Sequence, residues 1–459
     1  MKFLAAVFAL SAGLVLAQQP APVESIRHVT VVDVRTGAKA ADQTVTIENG
    51  HILSVAATRE SDNSQANSVD AHGAYLIPGL WDMHVHIHSL EELQLYIANG
   101  VTGVRIMSGD RDEKGYRSDL AKAKISPQIY LASAIVDGSP PIWPGSIVVK
   151  NADDARRTVD EIKAGGADFI KVYNLIPERA YFALAEEAKA QHIDFEGHVP
   201  DAITAQQASQ AGQRSMEHLQ GIALACSFKQ DMLMGALQRA QFFRDRLAIE
   251  AEGYRSFDQA KCQALFSEFR ANDTWQVPTL TVRRMWGQLD NGKFTSDPRR
   301  AYINKRSRDR WVERTEPMMR RWNFAMFQEE RGVFATEERV VGAMYHAGVP
   351  LMAGTDAMNP YCFPGFSLHD ELAMMVESGL PALAALQAAT LNPAHFMRRN
   401  TEIGTIEPGK IADLVLLRSD PLQDIHNTTQ IEAVWREGQY FDRAALDAML
   451  ERVKEAAKH

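Results

Sequence analysis

The sequence predicts an α/β fold: a (β/α)8 TIM barrel joined to a small β-sandwich domain built from both chain ends. Three observations lead there. Short apolar runs alternate with helix-length periods through the middle of the chain, the pattern of a parallel sheet with right-handed crossovers. Eight such runs can be counted between about Gly79 and Asp356, which favours a closed barrel over an open sheet. Histidines, a lysine and an aspartate stand at the ends of these runs, where a barrel gathers distant residues around one opening.

The elements follow in order. Met1-Lys2 is a short basic start, Phe3 to Leu16 is apolar, and Val15-Leu16-Ala17 supplies small residues. Residues 1–17 therefore read as a secretory signal cleaved after Ala17, too short for a lasting membrane span. Export would place the protein in the periplasm or outside the cell. The first part of the sandwich, residues 18–78, carries SIRHVTVVDV and QTVTIENGHILSVA, with Asn49-Gly50 as a hairpin turn. Its second part, residues 403–459, carries IADLVLLR and IEAVWREGQYF behind the turn Glu407-Pro408-Gly409. The barrel occupies residues 79–402. Its strands include VTGVRIM, QIYLASAIV, DFIKVY, IDFEGHV, WQVPTLTV and VPLMAGTD, with helical periods at 152–163, 180–191 and 337–346. Two stretches exceed loop length: 222–274 and 285–340 read as helical insertions. The second is rich in arginine, which suits a solvated face or a lid touching substrate.

Composition narrows the function. Of 459 residues, 46% are hydrophobic, enough for a large core, and 49 basic against 58 acidic residues give a net charge of −9. That balance argues against a nucleic-acid surface. Beyond the N-terminus no apolar run reaches membrane-spanning length. The partner is then a small molecule or short peptide, with homo-oligomers left open. The cysteines are Cys226, Cys262 and Cys362; the first two bracket a helical stretch and could form a disulfide in an oxidising compartment.

The chemistry lies in six residues: His84, His86, Lys171, His198, His218 and Asp356. Side chains alternate along a strand, so His84 and His86 point to one side. Neutral imidazoles and anionic oxygens are what two divalent metals need, with one position left for water. An ammonium has three donors and no acceptor, so Lys171 becomes a ligand only as a carbamate formed with carbon dioxide. The spacings from Lys171 to His198 and on to His218, 27 and 20 residues, fit barrel order.

With these motifs the chain resembles the amidohydrolase superfamily. The matching segments are PGLWDMHVH at 78–86, IKVY, EGHV, MEHL and Gly354-Thr355-Asp356, followed by Thr390-Leu391-Asn392-Pro393-Ala394 and GTIEPGKIADL at 404–414. The likeness covers roughly residues 25 to 445. It is similar to the imidazolonepropionase-related branch, which includes Xaa-dipeptidase-like members and ochratoxin-type amidases. The one-metal imidazolonepropionases lack the bridging lysine, so Lys171 points to the binuclear, carboxylated-lysine type. The resemblance implies that His84, His86 and Asp356 hold one metal, that His198 and His218 hold the other, and that carboxylated Lys171 bridges both. Zinc is the expected metal, though such ligands also accept manganese, cobalt or iron.

The implied function is hydrolysis of a C–N bond by a metal-bridging hydroxide, on a dipeptide or N-acyl amino acid. Asp356 would shuttle the proton. A cyclic amide, lactone or organophosphate ester could be cleaved by the same site, and a non-catalytic scaffold is the remote alternative. Further candidates are less constrained. Tyr173 shares a face with Lys171 and could donate to the substrate carbonyl or pack in the core. His88 is expected just outside the metal sphere. Arg105 should end the second strand. The stiff loop 138–145 with Trp143 is expected to form a pocket wall. Arg283 and Arg284 could bind a substrate carboxylate, and His369 could line the pocket or secure the start of its helix.

Overall fold

The computed structural model describes residues 24–60, 67–240 and 242–458. The expected signal segment lies outside them. No helix among the described residues is long and apolar enough to cross a membrane.

The centre of the chain is built of parallel strands and helices. Strand Leu80–Val85 pairs in parallel with Val101–Ile106, and that strand with Gln128–Leu131. A bridge from Ala132 to Phe169 leads to strand Phe169–Val172. Asp194–Gly197, Ser215–Glu217 and Trp275–Val277 follow in parallel register. The segment around Leu351 pairs with Gln276 on one side, and Ala357 pairs with Val85 on the other. The Met83 amide donates to Ala353 O (2.9 Å) and the Asp356 amide to His84 O (2.8 Å), so hydrogen bonds return to the first strand. The segment expected as the last strand, VPLMAGTD, is thus present by position, though only as bridges and not as a regular ladder.

Two expectations are corrected here. WQVPTLTV is strand only over Trp275–Val277; from Leu280 the chain is helical to Gln288. The helix wins because its first amides have a partner the local sequence does not show. The Glu371 carboxylate accepts from the Leu280 and Thr281 amides at 2.9 and 2.8 Å, serving the otherwise open donors of a helix start. The second helical insertion therefore begins earlier than residue 285. It continues through Lys305–Arg321 and Phe324–His346. The first insertion holds helices Ile222–Ala225, Gln230–Arg239, Phe243–Arg255 and Gln259–Ala271, and Cys226 is disulfide-bonded to Cys262.

The second correction concerns the terminal domain. The chain ends meet as expected: strand Tyr75–Pro78 pairs with Leu414–Leu417. Yet the strands form one continuous eight-stranded sheet instead of two facing sheets. The sheet bends over its own core, in which Ile26, Val45, Ile52, Leu414 and Trp435 pack together. The hairpin turn at Gly50 is tied to the segment leading into Leu414–Leu417, the Ala412 amide donating to Gly50 O at 2.8 Å. A strongly twisted sheet hides its apolar face by curling when no second sheet covers it.

Candidate metal centre

The strand ends bring His84, His86, Lys171, His198, His218 and Asp356 to one cavity. Ligand atoms of His84, His218 and Asp356 lie within 4.8 Å of one another. His86 Nε2 is 3.1 Å and His84 Nε2 3.4 Å from the same oxygen, Asp356 Oδ1.

Each of three imidazoles has its other nitrogen engaged. His84 Nδ1 lies 2.8 Å from Glu217 Oε2, His198 Nδ1 2.6 Å from Asn174 Oδ1, and His218 Nδ1 2.6 Å from Thr279 Oγ1. The first two partners are acceptors, and Thr279 spends its own hydrogen on Pro278 O. The Nδ1 atoms therefore carry the protons, and the Nε2 lone pairs remain for a cation. Burial pushes His84 down to about 4 and His218 to about 3, and drives His198 well below the usual range. All three are neutral at neutral pH. Burial pushes the Asp356 carboxyl up, but the surrounding His218, His84 and His86 more than reverse this and keep it well below the ordinary range.

Lys171 is the sharpest test of fit. It is 1% exposed, and its Nζ has no hydrogen-bond partner among the described residues. Burial lowers its pKa to about 8. A buried amine with no acceptor is costly, and an amine readily made neutral is the form that takes up carbon dioxide. The neutral imidazoles and the carboxylate are a donor set that fits a divalent metal.

Local backbone builds this convergence. Gly197, at φ +129°, precedes His198; a Cβ there would meet Val172 O at 2.4 Å and Lys171 Cδ at 2.9 Å. Gly354 allows the last segment to approach the first strand, where a Cβ would lie 2.9 Å from His84 Cβ. His218, Thr279 and Asp356 all hold left-handed backbone at φ 61°, 50° and 58°. Such strain costs on the order of 1–3 kcal/mol per residue and persists where surroundings over-determine it. Asp82 is one such surrounding group, accepting from Thr355 N at 3.0 Å and Thr355 Oγ1 at 2.7 Å.

The other candidates separate. Tyr173 stacks on His198 with ring centroids 4.1 Å apart, and its oxygen accepts from Trp143 Nε1 at 2.7 Å. Trp143 is 40% exposed and lines the cavity. His88 lies on the cavity rim, its pKa pushed down to about 3 by burial and then by Arg310, His86, Arg306 and Arg314. Arg283 does line the cavity, but its Nε donates to Glu337 and its Nη2 to Glu250, both at 2.8 Å, so two carboxylates of the protein already hold it. Arg284 faces Asp370 at 3.4 Å. His369 is corrected: Nδ1 contacts Thr428 Oγ1 at 2.9 Å and Nε2 contacts Asn99 O at 3.0 Å, inside the protein and away from the cavity lining. Arg105 is fully buried within its strand.

The sequence reading missed Glu217, Asn174, Thr279 and Asp82. Glu217 directly precedes His218 and Asp82 stands two residues before His84, so both were within reach of a search for partners of each histidine. Asn174 and Thr279 belong to loop residues whose contacts no periodicity reveals.

Residues 308–440 match the model described as the amidohydrolase family. Among curated relatives, the imidazolonepropionase of Geobacillus kaustophilus (strain HTA426) is 41% identical over 71 residues, 15% of this chain and 16% of that protein. Adenine deaminase 2 of Jannaschia sp. (strain CCS1) is 35% identical over 66 residues, 14% of this chain and 10% of that protein. The chain thus covers only a small part of these relatives' length. Solved structures match far more of it. A bottromycin amidohydrolase aligns over 94% of this chain and 90% of its own, with TM-score 0.77 and 24% identity. A Xaa-Pro dipeptidase with bound methionine aligns over 91% and 99%, with TM-score 0.65 and 18% identity. The family match over residues 308–440 and the fold shared with these solved structures agree: the chain is similar to amidohydrolase-family proteins.

Proposed function

We propose that the chain is a binuclear metal-dependent hydrolase of C–N bonds, acting on a dipeptide or N-acyl amino acid. The observation that carries this reading is Lys171: a buried amine with no hydrogen-bond partner among the described residues, in the same cavity as the histidines and Asp356. His84, His86 and Asp356 would hold one metal, His198 and His218 the second, and the Lys171 carbamate both. Zinc is the expected ion. When bound, the metals polarise the scissile carbonyl and acidify water.

The protein's own groups do the rest. Asp356 is ionised at neutral pH and accepts the proton of the attacking water at a carboxylate oxygen. It returns that proton to the departing amine, which leaves badly as an anion. Tyr173 receives its hydrogen bond from Trp143, so its own O–H hydrogen is free to donate to the substrate carbonyl. Stacking on His198 fixes the ring. The expected signal segment and the Cys226–Cys262 disulfide together support a periplasmic or secreted location.

The test is a panel of Xaa-Pro and Xaa-Arg dipeptides and N-acyl amino acids, with a cyclic amide, a lactone and a phosphotriester beside them. The protein is reconstituted with zinc and bicarbonate. Cleavage of the open-chain amides with at least tenfold preference is expected. Preference for the ring or ester substrates would replace the substrate assignment, and inactivity on all of them at full metal loading would refute the hydrolase reading.

A further inference from the structure

The cavity of about 770 Å³ above the metal residues has two unlike walls. One comes from the first helical insertion and is mostly apolar, with Leu224, Met234, Leu237, Phe243 and Leu247 beside Arg246 and Glu250, and is continued by Trp286. The other is the helix Lys305–Arg321, which presents Ser307, Arg310, Trp311 and Arg314 to the cavity. Those four lie at i, i+3, i+4 and i+7, one face of a helix.

The arginines on the cavity are not alike. Arg246 is committed to Asp201 by two bonds of 2.9 and 2.5 Å. Arg283 is committed to Glu250 and Glu337. Arg111 donates to Gly145 O and Ser146 O. Among the described residues no carboxylate pairs with Arg310 or Arg314. Arg314 is nevertheless held in place. Its guanidinium lies 5.5 Å from the centroid of the Trp143 ring and donates to Asn359 Oδ1. Asn359 Nδ2 in turn donates to Asp356 O at 2.9 Å, and Trp143 is bonded to Tyr173. Two short routes therefore tie this guanidinium to the metal residues. A second observation marks the same face: Ser307 is 1% exposed, and its Oγ has no hydrogen-bond partner among the described residues.

A guanidinium with donors to spare, fixed against an aromatic face, is the geometry that recognises a carboxylate in a fork. We propose that the substrate carries a free carboxylate, bound by Arg310 and Arg314, and a bulky apolar group laid along Leu224, Met234, Leu237, Phe243 and Trp286. This rests on the hydrolase reading above and sharpens it to hydrophobic N-acyl amino acids or peptides with a free C-terminus. The cavity volume lies in the range of ligands larger than a minimal dipeptide. The apolar wall also continues outward: a neighbouring groove shares Phe243, Trp286 and Arg314 with the cavity.

The test compares N-benzoyl-L-phenylalanine with its terminal carboxamide. Turnover is measured on zinc- and bicarbonate-loaded protein. Binding is measured by calorimetry on the metal-free full chain, where the acid cannot be held by a metal. A charge-assisted pair of about 1.5–3 kcal/mol corresponds to roughly 10- to 150-fold preference for the acid. Arg310→Gln and Arg314→Gln should each reduce that preference through KM, and the double variant should bring it near one. The acid's affinity should also fall as salt is raised, because both guanidiniums are solvent-accessible. Equal binding of acid and amide by the wild type, or an unchanged ratio in the double variant, overturns the carboxylate site. Selective binding of the acid without turnover of either compound supports the carboxylate site and counts against the hydrolase reading instead.

Discussion

Two cations are buried among the parallel strands, and their surroundings are opposite. Arg105 is surrounded by acceptors: Met83 O at 2.6 Å, Glu196 at 2.6 Å, Ser215 Oγ at 2.9 Å and both oxygens of Glu217 at 2.9 and 3.0 Å. Phe169 and Phe396 cover its faces, 5.7 and 5.3 Å from centroid to guanidinium carbon. Lys171, on another strand of the same array, has no hydrogen-bond partner at its Nζ among the described residues and only the Tyr173 ring beside it, 5.9 Å from the centroid. Glu217 lies between the two, bonded to Arg105 and to His84. Burial pushes its carboxyl up, and Arg105 and His84 more than reverse this, so it remains an anion. The contrast teaches how to tell a structural charge from a chemical one. A cation whose donors are all satisfied fixes the architecture, whereas one left without acceptors is poised to react.

The largest effect should come from the satisfied member. Arg105→Met leaves Glu196 and Glu217 buried without their counter-charge, and loss of one partner from a buried pair costs about 3–5 kcal/mol. Urea denaturation of the metal-free protein measures it. A loss below about 1 kcal/mol would mean that the guanidinium does not organise the core.

Asp356→Asn tests the other side at the level of chemistry. Removing a positioned proton shuttle costs about 10²- to 10⁴-fold in kcat, while metal content, read by atomic emission, should be unchanged. Near-normal turnover would remove Asp356 from the proton path.

The smallest predicted change has the opposite sign. Lys171→Met should abolish binding of the two metals, yet stabilise the metal-free protein by on the order of 1–3 kcal/mol at pH 7. The folded-state pKa is about 8, below the ordinary 10.5 of a lysine. Below about 8 both folded and unfolded chains carry the proton, so the full penalty of a buried ammonium is present. Between about 8 and 10.5 only the unfolded chain keeps it, and the wild type gains stability as pH rises. The advantage of Lys171→Met should therefore shrink towards pH 10 in bicarbonate-free buffer. A melting-temperature difference that is the same at pH 7 and pH 10 would break the contrast with Arg105.

The legible parts of this molecule were those governed by period. Alternation placed His84 and His86 on one side, and strand order placed Lys171, His198 and His218 around one opening, where the structure has them. What escaped was set by contacts between distant segments. Arg283 read as free because Glu250 and Glu337 are 33 and 54 residues away. The residues after Val277 read as strand because the carboxylate that starts their helix is Glu371, about ninety positions later. The same holds for the arginines of Lys305–Arg321. Their number was visible in the sequence, but not that Arg310 and Arg314 face the cavity while Arg320 pairs with Glu316 on its own helix.

The composite sheet carries a consequence for how the chain acquires its shape. Pro78 and Leu414 are direct partners, 336 positions apart (414 − 78). During synthesis the early strands emerge with one edge unmatched, and every residue of the catalytic region is made before that edge is covered. Closing so long a loop is entropically slow, and an open strand edge invites pairing with other chains. A ribosome stalled before residue 414 would thus hold an intermediate prone to self-association, so the last strands act as the step that makes the product safe to release.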